Sequence, residues 1–352
     1  MNNLDEILDK KGVGASAPCR IDFAGTLDIP TFSFPMADLC PVTFNMALDL
    51  RTNVKIKPYR KNFIKVVSKG FDDAEFEVKK APYNHPLGLV FAIADSFDIS
   101  GVEIIIKSDS PPQSALGGSS TASVALTALI MRILQDSGSK VSAKDAAFSA
   151  YCIESAVAGV PCGFQDHLSA AYGGANAWHW SHVLKWPEFG NTTLLEKEDY
   201  REMENNFLVL YTGKTHNSYS VNNKWREQFL SGNFRKHWIR ISELSQFFCN
   251  LFLVKDFEAL AEIIKEEVAL RMEMTPEVLD DKSRFLVEKA SSFGCGARFT
   301  GSGGGGCIWA MGEKENIQKL RACWKEEVLK IENAILLDTK PDPYGILFED
   351  IN

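Results

Sequence analysis

Hydrophobic and polar positions alternate over short stretches in the first third of the chain, at residues 20–24, 54–57, 63–68, 75–79 and 102–107. A period of two marks strands with one buried face, so these segments predict a sheet. The proline-bounded stretch 82–86 reads as a turn. Residues 88–97 place an apolar side chain at every third or fourth position and predict a helix. From Thr121 to Leu134 the chain is apolar on nearly every side, which predicts a buried helix. A second helix is predicted over 142–158, with Ser142 as its N-cap and Gly159 and Pro161 ending it. A third begins near Gln165 and stops at Gly173-Gly174.

Beyond these, 207–211 predicts a strand leading into Thr212-Gly213-Lys214, and 219–292 is mostly helical in pattern. Within it, 257–272 is amphipathic, and Thr275-Pro276 reads as an N-cap followed by proline at the first helical position. Strands at 298–300 and 307–311, a helix at 317–330 and a last strand at 334–337 complete the pattern. Residues 1–12 read as a short polar helix or tail. Both halves mix strands and helices, so the fold class is α+β. A length of 352 residues suits two domains. The polar stretch 196–206 divides them into 12–200 and 206–345.

Composition removes several classes. A formal net charge of −8 argues against a nucleic-acid partner, which needs a basic face. The longest apolar run, around 122–134, is shorter than a membrane span and contains Arg132. No two of the eight cysteines form a C-x-x-C pair, so a zinc site or redox dithiol is not expected. They read as reduced thiols of a cytoplasmic protein, several of them filling the core.

Three segments carry chemistry. The first is Pro111-Pro112-Gln113-Ser114-Ala115-Leu116-Gly117-Gly118-Ser119-Ser120-Thr121, directly before the apolar helix. A glycine- and serine-rich loop that opens a helix offers unpaired N–H groups and a positive dipole end to an anion. The triphosphate of ATP fits best. The loop lacks the lysine of a Walker motif. The hydroxyl of Ser119 or Ser120 suits Mg²⁺; read alone, the same serines are a plain helix cap. The second segment is Thr300-Gly301-Ser302-Gly303-Gly304-Gly305-Gly306-Cys307. Glycine weakens strands, so the run points to close approach of backbone to another group, or else to a hinge. Its G-x-G-x-x-G spacing precedes a strand rather than a helix, unlike a dinucleotide fold. The third is Pro161-Cys162-Gly163-Phe164-Gln165-Asp166. Gly163 permits a sharp turn before Asp166, whose carboxylate can accept a hydroxyl proton; the plain alternative is a helix cap.

Taken together these motifs resemble the GHMP kinase superfamily, and within it the sugar kinases. Ala17-Pro18-Cys19-Arg20-Ile21-Asp22-Phe23-Ala24-Gly25 resembles the first family motif. Pro161-Cys162-Gly163 with Asp166 is similar to the galactokinase active-site segment. Gln165-Asp166, Ala170-Ala171-Tyr172-Gly173-Gly174 and Leu210-Tyr211-Thr212-Gly213 look more like the heptose 7-phosphate kinase and fucokinase branch. Two departures stand out. Gly25-Thr26-Leu27-Asp28 is one residue shorter than the galactokinase pattern and lacks its Glu and His. Gln113 and Ala115 stand where the family has glycine, so the loop is expected to turn without a positive φ at Ala115.

The resemblance implies an N-terminal domain like the second domain of ribosomal protein S5, a ferredoxin-like C-terminal domain, and ATP in the cleft between them. It implies Asp166 and Arg20 as the catalytic pair, with the nucleotide held by Pro112, Ser114, Leu116, Gly117, Gly118, Ser119, Ser120 and Thr121 and by Gly303 and Gly304. Ser119, with Ser120 as the alternative, and Glu154 would hold Mg²⁺. Asp28 would bind sugar hydroxyls beside Gly163. Thr212, Lys214, His216 and Ser218 follow a strand and are further candidates for the acceptor pocket. The implied reaction is ATP-dependent phosphorylation of a monosaccharide or sugar phosphate at its anomeric hydroxyl. The alternatives are a kinase of a homoserine- or mevalonate-type alcohol, or a non-catalytic sensor of sugar and ATP. His179 and His182 lack a third ligand and read as structural. Trp178, Trp180 and Trp186 read as core or interface.

Overall fold

The computed structural model describes residues 12–135, 140–159, 161–180, 189–215 and 218–349. Strands β1 (Val13–Phe23), β2 (Val42–Pro58), β3 (Phe63–Ser68), β4 (Ala74–Glu77) and β5 (Val102–Ser108) build the first sheet, joined by β6 (Ala175–His179) and β7 (Gly190–Thr193). With a terminal strand, β12 (Leu347–Phe348), its order is β12-β1-β2-β5-β3-β4, and β6 lies on the first half of β2. The pairing of β3 with β5 is parallel; the others are antiparallel.

Between β1 and β2 the chain makes a short helix, α1 (Pro30–Ser33); α2 (Gly88–Ser96), α3 (Gly118–Leu134), α4 (Ala143–Val157) and α5 (Gln165–Tyr172) follow. The apolar α3 is buried as its pattern requires, against β1, β2, α4 and α5. Ser142 caps α4 by accepting from the Asp145 N–H, and Gly159 beyond its end has φ 65.

After a single turn, α6 (Tyr200–Met203), the chain enters β8 (Phe207–Tyr211), and α7 (Ser218–Leu230), α8 (Arg235–Leu253), α9 (Phe257–Met274) and α10 (Asp281–Ser292) follow. Then come β9 (Gly296–Phe299), β10 (Cys307–Met311), α11 (Lys314–Val328) and β11 (Ile335–Leu337). The second sheet runs β11-β8-β10-β9 and is wholly antiparallel. In the unit's own strand numbering that is 4-1-3-2, the ferredoxin-like order. Two apolar clusters form the core, one mainly beneath the first sheet and one uniting β1 and β2 with the second unit.

Three details depart from the sequence reading. Strand β2 spans 17 residues, of which only a fragment was legible. Thr275 does not cap a helix with its side chain: its hydroxyl accepts from Trp225 Nε1, Pro276 opens only a 3-10 turn, and Asp280 caps α10 instead. Finally, β11 is not the last strand, because β12 (Leu347–Phe348) returns to pair with β1. Arg51 clamps that returning tail by an ion pair with Asp342. Among the described residues, no helix is long and apolar enough to cross a membrane.

Candidate active site

Arg20 sits near the end of β1, almost fully buried. Its guanidinium grips Asp166 with two parallel bonds, Nε to Oδ1 at 2.8 Å and Nη2 to Oδ2 at 2.7 Å. Its third nitrogen, Nη1, donates to the Ala115 carbonyl at 2.7 Å, and its backbone N–H donates to the Leu116 carbonyl. One arginine therefore joins the acid at the start of α5 to the loop before α3. Burial works against the Arg20 charge, but the Asp166 and Asp22 carboxylates overcome it and hold the guanidinium firmly protonated. The Asp166 side chain keeps 23% of its surface open, and it faces a cleft. Such a carboxylate is fixed in orientation and still reachable by a ligand.

The loop presents its small residues outward. Ser114 and Leu116 are buried, whereas Gly117 and Gly118 are half-buried and Ser119 is exposed. Gly117 takes the N-cap position at φ 75 without a side-chain cap, so the first-turn N–H groups of α3 have no capping partner. The space above Gly118 is open. This is the geometry of an anion cradle. Contrary to the sequence reading, the loop does turn through positive φ, at Gln113 (51) and Ala115 (61). That left-handed backbone costs a non-glycine residue ~1–2 kcal/mol. The bonds from Arg20 to Ala115 and Leu116, with Cys307 N–H on the Ser114 carbonyl, hold it in place.

Beside the cradle lies the glycine run. A Cβ on Gly306 would meet the Ser114 carbonyl at 2.6 Å, and one on Gly305 the Thr215 carbonyl at 2.6 Å. Close backbone packing, not a hinge, explains these glycines. The N–H groups of Gly303 and Gly304 go to the Thr300 and Val278 carbonyls, so these two residues shape a wall rather than offering free donors.

Glu154 on α4 approaches the same helix start. Its Oε2 accepts from Ser120 Oγ at 2.9 Å and lies 2.7 Å from His167 Nε2. Burial pushes this carboxyl up, but His167, Ser119 and Ser120 together bring it below the ordinary range. An ionised carboxylate with two serine hydroxyls is an oxygen donor set suited to a hard cation. Ser120 is turned to Glu154, while Ser119 is the exposed member of the pair.

Opposite, Asp28 is buried at the cleft wall. Its Oδ2 accepts from the Gln165 N–H at 2.9 Å and its Oδ1 from the Thr26 N–H at 3.1 Å. Gly163 is obligatory here, since a Cβ would lie 1.9 Å from Asp28 Oδ2. Burial pushes the Asp28 carboxyl up to about 6, with Asp166 and Asp22 adding to the rise. Cys162, beside three carboxylates, is pushed up to about 12, first by burial and then by Glu154, Asp166 and Asp28.

The other candidates lie elsewhere. Thr212 is tied to the glycine run, its hydroxyl donating to the Gly306 carbonyl at 2.8 Å, and it does not line the cleft. Lys214 is over half exposed and pairs with Asp280. His216, His182 and Trp186 lie outside the described residues, as does the side chain of Ser218. His179 bonds Thr192 on β7; Trp178 and Trp180 are buried, so all three serve the sheet.

Sequence reasoning missed a buried charge relay. Glu267 on α9 accepts from Arg271 Nε and Arg298 Nε, each at 2.8 Å, and none of the three is exposed. Arg271 then donates to the Gly25 carbonyl and to Thr26 Oγ1, fixing the turn that carries Asp28. Arg298 lies 3.4 Å from Asp22 Oδ2, and Asp22 Oδ1 accepts from the Gly301 N–H. The second unit thus braces both the cleft wall at Asp28 and the glycine run. Glu267 and Arg271 have a helical spacing, but Arg298 lies 31 residues from Glu267, and the bonds from Arg271 to Gly25 and from Arg298 to Asp22 join residues 246 and 276 apart, which no local pattern announces. Asn222 and Ser302, which line the cleft, were missed as well.

The family model "GHMP kinases N terminal domain" matches residues 84–174, and "GHMP kinases C terminal" matches residues 248–330. No curated relative matches the sequence. Among solved structures, the chain is similar to a D-glycero-D-manno-heptose 1-phosphate kinase from Bacteriodes thetaiotaomicron, at 16% identity, TM-score 0.73, and coverage of 97% of this chain and 99% of that one. It is similar to Lactococcus lactis galactokinase complexed with galactose, at 17% identity, TM-score 0.73 and 97% coverage of both chains. It is also similar to Methanococcus jannaschii mevalonate kinase, at 16% identity, TM-score 0.68, and coverage of 94% and 98%. These likenesses establish the fold. With the two family models lying in order on its two units, the chain belongs to the GHMP kinase family.

Proposed function

We propose that the protein is an ATP-dependent sugar kinase that transfers the γ-phosphoryl group to a hydroxyl of a monosaccharide or sugar phosphate. The observation that carries this reading is the two-bonded Arg20–Asp166 pair, set between an open helix-start cradle and a polar cleft. ATP would place its phosphates over Gly117, Gly118 and Ser119, where the free N–H groups of α3 point. Glu154 with Ser119 or Ser120 would hold Mg²⁺, which supplies charge neutralisation on the phosphates. Asp166 orients the acceptor hydroxyl and takes its proton; Arg20 fixes the carboxylate's orientation and faces the charge that develops on the transferred group. Phosphoryl transfer depends mostly on position and electrostatics, which a rigid ion pair supplies. The galactose-bound neighbour and the carboxyl of Asp28 at the cleft support a sugar acceptor. The anomeric hydroxyl is the position implied by the family resemblance.

The test is ADP release by purified protein with MgATP across a panel of sugars. A sugar that accelerates release supports the reading. Binding of both ATP and sugar without acceleration would make the protein a sensor instead.

A further inference from the structure

Among the described residues, three polar side-chain atoms at the cleft have no hydrogen-bond partner: Gln165 Oε1, Asn222 Oδ1 and Ser302 Oγ. Gln165 and Ser302 are each only 4% exposed. A buried polar atom left unmatched costs ~1–3 kcal/mol, and these three, unlike the other unmatched atoms of the described core, line one cavity that a ligand can enter. They come from three elements distant in sequence, α5, α7 and the glycine run, which converge on the cleft.

Charge narrows the ligand further. Arg20 is the only cation among the described lining residues, and its three nitrogens are engaged by Asp166 and Ala115. Asp28 and Asp166 both face the cleft. Arg298 is locked on Glu267 and does not line the cleft. A second phosphate or a carboxylate on the acceptor would enter beside two acids, with no uncommitted cation among the described lining residues to meet it. From these orphan atoms and this charge pattern we infer that the acceptor is an uncharged polyol, an unphosphorylated sugar whose hydroxyls are read by Gln165, Asn222 and Ser302. The inference rests on the sugar-kinase reading and selects within it.

The experiment compares kcat/KM, by ADP release with MgATP, for neutral hexoses, 6-deoxyhexoses and heptoses, the same sugars as terminal phosphate esters, amino sugars, homoserine and mevalonate. The expected result is a neutral sugar favoured over its phosphate ester by about a hundredfold or more, the scale of one unmatched charged contact. Asn222→Leu and Ser302→Ala should each raise the KM for that sugar about tenfold, with KM for ATP unchanged and Tm equal to or above wild type. A merely structural pair would lower Tm and leave the acceptor KM in place. Preference for a phosphate ester, a carboxylate or an amino sugar overturns the inference and leaves the kinase reading standing. Release with no member of the panel overturns the sugar-kinase reading itself, and the inference falls with it.

Discussion

Replacing Asp166 by Asn separates chemistry from binding. The amide keeps one oxygen for Arg20 but turns an NH2 group toward the second guanidinium donor. One of the two charge-assisted bonds is therefore lost, each of the class worth ~1.5–3 kcal/mol. Because the Asp166 side chain is 23% open, solvent screens part of this, and the loss in stability is about 1–2 kcal/mol. Asp22, at 3.8 Å, still faces the Arg20 charge, so the fold survives. Catalysis suffers more. Removing a positioned proton acceptor costs about 10²–10⁴ in rate, or roughly 3–5 kcal/mol of barrier. Asp166 makes no contact with the helix-start cradle except through Arg20, so ATP affinity should stay within a few-fold of wild type. The assay is kcat by ADP release, with nucleotide affinity by calorimetry and Tm by calorimetric melting on the same preparations. Turnover within threefold of wild type would refute the assignment. So would loss of ATP binding in step with loss of turnover, which would make Asp166 a nucleotide residue.

Four further outcomes follow from the same geometry. Gly163→Ala drives a methyl group against Asp28; acceptor KM should rise at least about tenfold, as overpacking by ~1–3 kcal/mol would give, while KM for ATP holds. Ser119→Ala should raise the Mg²⁺ concentration needed for half-maximal turnover several-fold; an effect in Ser120→Ala alone would move the ligand to Ser120. Glu267→Gln leaves two buried arginines short of a counter-charge; urea unfolding should report a loss of ~3–5 kcal/mol, and a neutral result would contradict the bracing role. For Asp28, the folded state holds its proton more tightly than the unfolded chain does. Its contribution to stability is thus full below the ordinary aspartate range and is lost as pH rises toward about 6, by about 3 kcal/mol. Urea midpoints of wild type and Asp28→Asn, compared at pH 4 and 7, should diverge in favour of wild type at the lower pH.

Much of the frame was legible because it is written locally. The buried helix α3, the Ser142 cap, the limits of α5 at Gln165 and Gly173, and strands β8 and β10 each follow from spacing or from a single residue's backbone preference. The glycine run was legible for the same reason: only close approach explains so many residues without side chains. What was not legible depends on partners distant in sequence. Thr275 gave a proper cap signal, but Trp225 claims its hydroxyl. Ala115 was expected to avoid left-handed backbone, and three external hydrogen bonds override that preference. β12 is two residues long and exists only because β1 has a free edge beside it. Thr212 follows a strand toward the site as expected, yet a glycine carbonyl captures it first. Asn222 and Ser302 are ordinary polar residues in the sequence; only their unmatched atoms at one cavity set them apart.

The central claim is that separate segments meet so that Asp166 activates a sugar hydroxyl against ATP held at the start of α3. Transfer of label from γ-radiolabelled ATP to a neutral sugar, followed by isolation of the product, tests it most directly. The account predicts a labelled sugar monophosphate from the wild-type protein with Mg²⁺, and none above background from Asp166→Asn. Equal labelling by the two proteins would contradict it.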